Sequence, residues 1–276
     1  MPERIYKEDN YFNKLEILMK VLREECPWDK EQTLSSLRTY TLEETHEVLE
    51  AIDRAAHNNE WQMLRDELGD LLLQVAFYAR IADEHGKFNF GDVIDGLIEK
   101  MIYRHPHVFK GARPVDLSQQ WESLKDAKHA ERKSLMDGIP PLPALAYAQK
   151  QQKRAARVGF DWQKPVDVIA KMEEELAELA EEVKKGIDAS RIEDEFGDVL
   201  FTLVNLGRKL GMDAELALMR TNRKFAQRFR VMESLAEKKG LALSELNLDE
   251  LEALYEEAKA VSASPELSQD TKQEDP

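Results

Sequence analysis

Residues 169–206 read IAKMEEELAELAEEVKKGIDASRIEDEFGDVLFTLVNL. Ile169, Met172, Leu176, Leu179 and Val183 follow the three-then-four spacing of a bundle helix that packs one face against its neighbours. Gly186 is the stop signal for that helix, and a second begins near residue 190. On the second helix Arg191, Glu195, Asp198, Thr202 and Asn205 are spaced four, three, four and three, which puts them on one polar line. Phe196, Val199, Leu200, Leu203, Val204 and Leu206 surround the line, so this helix is expected to be buried on most of its circumference.

The same signature stands upstream. Glu43, Glu44 and Glu47 precede Glu67 and Asp70, just as Glu174, Glu175 and Glu178 precede Glu195 and Asp198. Each copy reads E-E-x-x-E and then E-x-[LF]-G-D, and the final Asp opens an apolar run, DLLLQVAFY from Asp70 and DVLFTLVNL from Asp198. The chain is a diverged tandem repeat. No stretch of alternating β-branched residues is long enough to predict a sheet, so the fold class is all-α: two related helical bundles joined by a partly helical linker.

Helices are predicted at roughly 11–24, 33–56, 60–85 and 90–104 in the first half, and at roughly 143–157, 165–185, 190–210 and 213–237 in the second. One more follows Asn247 and reaches about Val261. The domain boundaries read as 1–112 for the first repeat, 113–140 for the linker, 141–262 for the second repeat and 263–276 for an acidic tail. The linker carries GARPVDLSQQ and DGIPPLP on either side of a charged helix near Trp121 to Lys133. The tail, SASPELSQDTKQEDP, has the composition of a disordered segment.

Bulk composition narrows the function. Against 39 basic residues stand 54 acidic ones, a formal charge of −15, which disfavours a nucleic-acid partner held through phosphates. Cys26 is the single cysteine, so no intrachain disulfide forms and a reducing compartment is expected. The N-terminus lacks the hydrophobic core of a signal peptide, and no segment reaches the roughly 18 apolar residues of a membrane span. A cytoplasmic protein without a membrane partner is the expectation.

The chemistry concentrates in the second copy. Lys171, Glu175 and Glu178 fall within an arc of about 60° on one flank of their helix. Uncompensated buried carboxylates would cost several kcal/mol each. Glu175, Glu178, Glu195 and Asp198, arriving as i, i+3 pairs from two adjacent helices, instead offer hard oxygen ligands suited to Mg2+ or Mn2+. Lys171 and Arg191 lie one turn from the acids, and Lys224 and Arg228 are spaced i, i+4 beside Asn222. Carboxylates, a divalent metal and convergent cations together suit a polyphosphate, and the implied reaction is metal-assisted hydrolysis of a phosphoanhydride. The bland alternatives are a solvated Glu-rich face for EEELAELAEE, surface roles for Lys224 and Arg228, and simple packing for Tyr255. Recurrence of both acidic motifs, with Asp70 and Asp198 set in apolar sequence, favours metal.

The copies are not equivalent. Superposing the signatures pairs Lys171 with Tyr40, Arg191 with Met63, Asn205 with Phe77 and Asn222 with Ile98, while Lys100 and Arg104 still match Lys224 and Arg228. The first copy keeps its acids and loses most of its cations, so catalysis is assigned to the second. A di-iron carboxylate bundle is the nearest rival enzyme, because Glu43 and His46 form an E-x-x-H. It needs a second such pair, and the matching position is Ala177. The other five histidines, His57, His85, His105, His107 and His129, also lie in the first half and read as structural or surface residues. A non-catalytic nucleotide sensor or partner-binding protein is the rival from another class.

With these residues assembled, the chain resembles the MazG family of bacterial nucleoside triphosphate pyrophosphohydrolases. The resemblance runs from about Phe12 to Lys259 and is carried by CPWDKEQT from Cys26, YTLEETHEVLEAI from Tyr40, DELGDLLLQVAFYA from Asp66, YRHPHVF from Tyr103, VGFDW from Val158, EFGDVLFTLVNL from Glu195 and NRKFAQRF from Asn222. It implies an all-α pyrophosphohydrolase fold, a homodimer, magnesium dependence, and conversion of a nucleoside triphosphate to the monophosphate and pyrophosphate. The family's metal ligands match Glu175, Glu178, Glu195 and Asp198. Its nucleotide-contacting positions match Lys171, Glu174, Arg191, Asp194, Lys224, Arg228 and an aromatic that here is Tyr255, where tryptophan is common. Glu174, next to a ligand but pointing off its arc, is the candidate general base.

Overall fold

A computed structural model describes residues 5–111, 133–186 and 188–263, and every regular element among them is helical. The chain divides into two compact units, Met1–Ala130 and Glu131–Pro276. In the first unit lie α1 (Tyr11–Glu25), α2 (Pro27–Glu31), α3 (Leu37–Asn58), α4 (Trp61–Glu84), α5 (Phe90–Arg104) and α6 (Pro106–Phe109). The second holds α7 (Ala144–Ala156), α8 (Pro165–Lys185), α9 (Ala189–Lys209), α10 (Ala214–Lys238) and α11 (Leu248–Ala263), with one 3-10 turn at Leu243–Glu245. The expected charged helix near Trp121 falls outside the described residues save for Lys133, as does the acidic tail beyond Ala263.

The long helices match the sequence expectation to within a few residues. The largest departure is the start of α3, placed near residue 33 by periodicity. There the Thr33 backbone N–H donates to Ser36 Oγ, and the Ser36 N–H returns a bond to Thr33 Oγ1, so Thr33–Ser36 form a closed turn ahead of Leu37. These hydroxyls bond to N–H groups ahead of the helix and hold the chain in a turn, so the helix starts only at Leu37. The single-turn pieces α2 and α6 were not expected; each begins with proline, Pro27 and Pro106, whose missing N–H suits a first helical turn.

Each unit is built around an antiparallel hairpin, α3 with α4 and α8 with α9. The first hairpin turns at Asn59, whose φ of 61° places it in the left-handed region; the second closes α8 with Gly186 at the same φ, its N–H donating to the Glu182 carbonyl. The first core gathers Met19, Leu37, Phe77 and Ile81, capped by Phe12 stacked on Phe90 at 4.9 Å. Arg23 locks its edge, donating to the carbonyls of Asp29, Lys30 and Gln32 and to Glu84. In the second unit a smaller core of Met232, Ala236, Leu254 and Ala258 joins α10 to α11.

Two expectations of burial are corrected. The stripe Ile169, Leu176 and Val183 faces outward, and the buried face of α8 is Val168, Glu175 and Glu182. Likewise α9 is not covered round its circumference, since Phe196, Leu200 and Leu203 are exposed while Thr202, Val204 and Asn205 are buried. Among the described residues of the unit, only the hairpin partner and α7 pack substantially on α9, so the polar line lies in the seam and the apolar stripes are left outside. Among the described residues no helix is long and apolar enough to cross a membrane.

Candidate active site

The α8–α9 seam sets the site. Because the helices run antiparallel, residues one turn further along α8 meet residues one turn earlier on α9. Glu182 therefore meets Arg191, with Nη2 to Oε1 at 3.3 Å. One turn on, Glu178 exerts the strongest carboxylate repulsion on Glu195. At the next turn Glu175 reaches Asp198, and oxygens of Glu175, Glu195 and Asp198 all lie within 4.8 Å of one another. Glu178, expected as the fourth ligand, stands outside that closest trio.

Glu175 is buried, Glu195 half-buried and Asp198 exposed, so the trio opens to solvent at one end. Loss of hydration, and then the charges of Glu178, Asp198 and Glu175, push the Glu195 carboxyl above its ordinary value. Carboxylates held together against their own repulsion form a donor set with a deficit of positive charge, which fits a hard divalent cation.

Lys171 sits on the far side of the trio from Arg191 along α8. Its ammonium donates to Glu174 Oε1 at 2.8 Å and pairs with Glu175 Oε1 at 2.9 Å. These two bonds, that to Glu174 being the stronger influence, hold the lysine protonated well above its ordinary range. Glu174 was expected to point away, free to orient a water. It is instead tied to Lys171 through Oε1, and Oε2 is the oxygen left for a water. Asn205 does not serve the acids either: it is buried and accepts from Arg208 Nη2 at 2.7 Å. Arg208 and Lys209 in turn clasp Asp161 of the VGFDW stretch, pinning the loop before α8 onto α9.

Asn222, Lys224 and Arg228 lie on α10, which packs chiefly on α11 and on α7. Among the described residues no hydrogen bond or ion pair joins them, or Asp194, to the acid trio. Tyr255, on α11, has its ring centroid 5.8 Å from that of Phe225, and both line an apolar groove of about 460 Å³ with Phe229 and Leu251. Two residues of the seam escaped the sequence reading, Glu182 and its second partner Lys185, 2.8 Å away. The signal was present in the spacing of Glu175, Glu178 and Glu182, three then four, opposite Arg191.

The first unit repeats the trio without its flanks. Oxygens of Glu44, Glu67 and Asp70 also lie within 4.8 Å of one another, and burial followed by the charge of Asp70 raises the Glu44 carboxyl. The place of Lys171 is taken by Tyr40, edge-on to Trp28 at 5.6 Å, and the Glu182–Arg191 pair is replaced by Ala51 and Met63. Among the histidines, His57, His85 and His105 direct Nδ1 to backbone carbonyls one turn back, and none joins a group of three or more metal-ligating side chains among the described residues.

A family model described as the MazG nucleotide pyrophosphohydrolase domain matches residues 32–109 and again residues 163–231. A relative from Thermotoga maritima, named nucleoside triphosphate pyrophosphohydrolase/pyrophosphatase MazG, is 48% identical over 252 residues, covering 90% of this chain and 95% of its own. The nucleoside triphosphate pyrophosphohydrolase of Escherichia coli (strain K12) is 43% identical over 260 residues, covering 91% and 97%. Both matched segments contain an acid trio, and the relatives align across both units: the chain belongs to the MazG nucleotide pyrophosphohydrolase family.

Proposed function

We propose that the chain hydrolyses nucleoside triphosphates with Mg2+ at the α–β phosphoanhydride, releasing a nucleoside monophosphate and pyrophosphate, and that the second unit does the work. The observation that carries this reading is the order of charges along the α8–α9 seam: Lys171, the trio Glu175, Glu195 and Asp198, then Arg191. Acids alone could hold a cation. Acids bracketed by cations can hold a cation together with a polyanion whose charge exceeds what one divalent ion offsets.

Glu175, Glu195 and Asp198, with Glu178 beside them, would hold the metal, which Mn2+ could replace. When bound, the ion supplies Lewis-acid polarisation of phosphoryl oxygens and an acidified water. Lys171 and Arg191 bind phosphate oxygens left outside the metal's reach. Glu174, through Oε2, orients the attacking water and takes its proton, while Lys171 on Oε1 fixes the orientation of that carboxylate. Asp194, Asn222, Lys224 and Arg228 are further substrate contacts, and Tyr255 with Phe225 offers an apolar floor for the base. Centroids 5.8 Å apart leave no slot between the rings, so a base would lie against them.

We propose a homodimer as well, because exposed Leu176, Val183, Phe196, Leu200 and Leu203 form apolar faces that a second copy of the hairpin would cover. In the first unit, Glu44, Glu67 and Asp70 hold metal without turnover. The test is product identity. Purified protein with Mg2+ and each common nucleoside triphosphate should release pyrophosphate and monophosphate in equal amounts. Orthophosphate with diphosphate would overturn the bond assignment, and no turnover with either Mg2+ or Mn2+ would overturn the activity.

A further inference from the structure

Beyond the acids and the cations, the seam contains one buried carboxylate with no place in the chemistry above. Glu182 is 8% exposed, and its Oε1 faces both Lys185 at 2.8 Å and Arg191 at 3.3 Å. Arg191 itself is a long side chain 62% exposed, so the buried carboxylate is the fixed end of the pair and the guanidinium the mobile one. The pair sits one turn beyond Glu178 and Glu195, close enough that the charge of Glu182 still bears on Glu195.

The first unit acts as an internal control. Where the second has Glu182 and Arg191, the first has Ala51, fully buried, and Met63, so both partners are replaced together by apolar residues while the acids one turn away are retained. The basic residue matching Lys185 is Arg54, and it pairs with Glu50 at 2.7 Å without help from position 51. The carboxylate is thus present in the unit that has the arginine and absent from the unit that lacks it.

We propose that Glu182 is a positioning residue for Arg191. The ion pair holds the guanidinium at the edge of the trio and leaves its N–H groups for a phosphate. Glu195 stands one turn along α9 from Arg191, so without that anchor the guanidinium is free to turn onto it and compete with the metal. The inference rests on the activity proposed above, but its test also reads metal binding directly.

Glu182→Ala, Glu182→Asp and Arg191→Met, with the Glu182→Ala, Arg191→Met double variant, are compared in the full chain for KM, kcat and the Mg2+ midpoint of the thermal shift. The double variant installs the pair that the first unit already folds with. Glu182→Ala should raise KM for the magnesium–triphosphate by about tenfold, with kcat changing less than about threefold, and should raise the Mg2+ midpoint. Glu182→Asp should recover most of both, and Glu182→Ala should add nothing once Arg191 is methionine. Equal effects of Glu182→Ala in both backgrounds, or an unmoved Mg2+ midpoint with only a lower melting temperature, would overturn the role. A wild-type protein that turns over no triphosphate would defeat the activity, and the Mg2+ midpoints would still decide the pairing.

Discussion

Replacing Lys171 by Tyr and Arg191 by Met writes the first unit's flanks into the second and leaves every acid in place. The first unit folds with Tyr40 and Met63 at these positions, so the hairpin should survive. Glu182 keeps Lys185 at 2.8 Å and is not stranded by the loss of Arg191. Glu175 loses its lysine partner, which only deepens the trio's need for a cation. Each cation is asked to supply one charge-assisted contact to a phosphate oxygen, worth a factor of roughly ten to a hundred. Two of them predict a fall in kcat/KM of about 10²–10⁴. The assay is coupled pyrophosphate release across a triphosphate series, alongside melting with and without Mg2+. The Mg2+-dependent rise in melting temperature should persist while hydrolysis is lost. A double variant within about threefold of wild type would refute the division of labour between acids and cations, as would one that loses the metal-dependent rise together with activity.

Three further outcomes are expected. Glu175→Ala should abolish hydrolysis, by about 10³-fold or more, whereas Glu44→Ala should leave it within about threefold; equal losses in a steady-state assay would place catalysis in both units. Asp161→Ala strands the largely buried Arg208 and Lys209 and should destabilise the second unit by about 3 kcal/mol, a drop of roughly 10 °C in its calorimetric transition. The Glu84 carboxyl is held below its ordinary value near 4.5, first by the hydrogen bond from Arg23. A depressed folded-state value stabilises the protein above the unfolded value and loses that contribution as pH falls through the folded one. Urea midpoints of wild type and Glu84→Gln should therefore differ by a constant amount above about pH 5.5 and converge below about 4.5; a gap unchanged down to pH 3 would exclude this linkage.

Much of the site could be read before any coordinates. Spacing put Lys171 and Glu175 on one arc, and they pair at 2.9 Å; repetition of the motif located both trios. Burial was misread for a physical reason. Periodicity says which residues share a face and not what that face meets, so the stripe Ile169, Leu176 and Val183 looked like the packed side, whereas the seam takes Val168, Glu175 and Glu182. Spacing also did not show that Glu174 and Asn205 are each held by a neighbour three residues along the same helix, Lys171 and Arg208.

Local chemistry written in the chain determined the all-α class, the helix ends at Gly186 and near Asn247, the duplication, and the acids that carry the family's signature. These depend on short-range rules of spacing, capping and charge, which act over a turn or two and leave their imprint on neighbouring residues. Tertiary structure alone decided the register of α8 against α9. That register brings Glu175, Glu195 and Asp198 within 4.8 Å of one another and leaves Glu178 at their side. It also pairs Arg191 with a carboxylate that no motif had singled out. Such contacts join residues on different helices, and which turn meets which is set by the length of the connection and the packing of the whole unit.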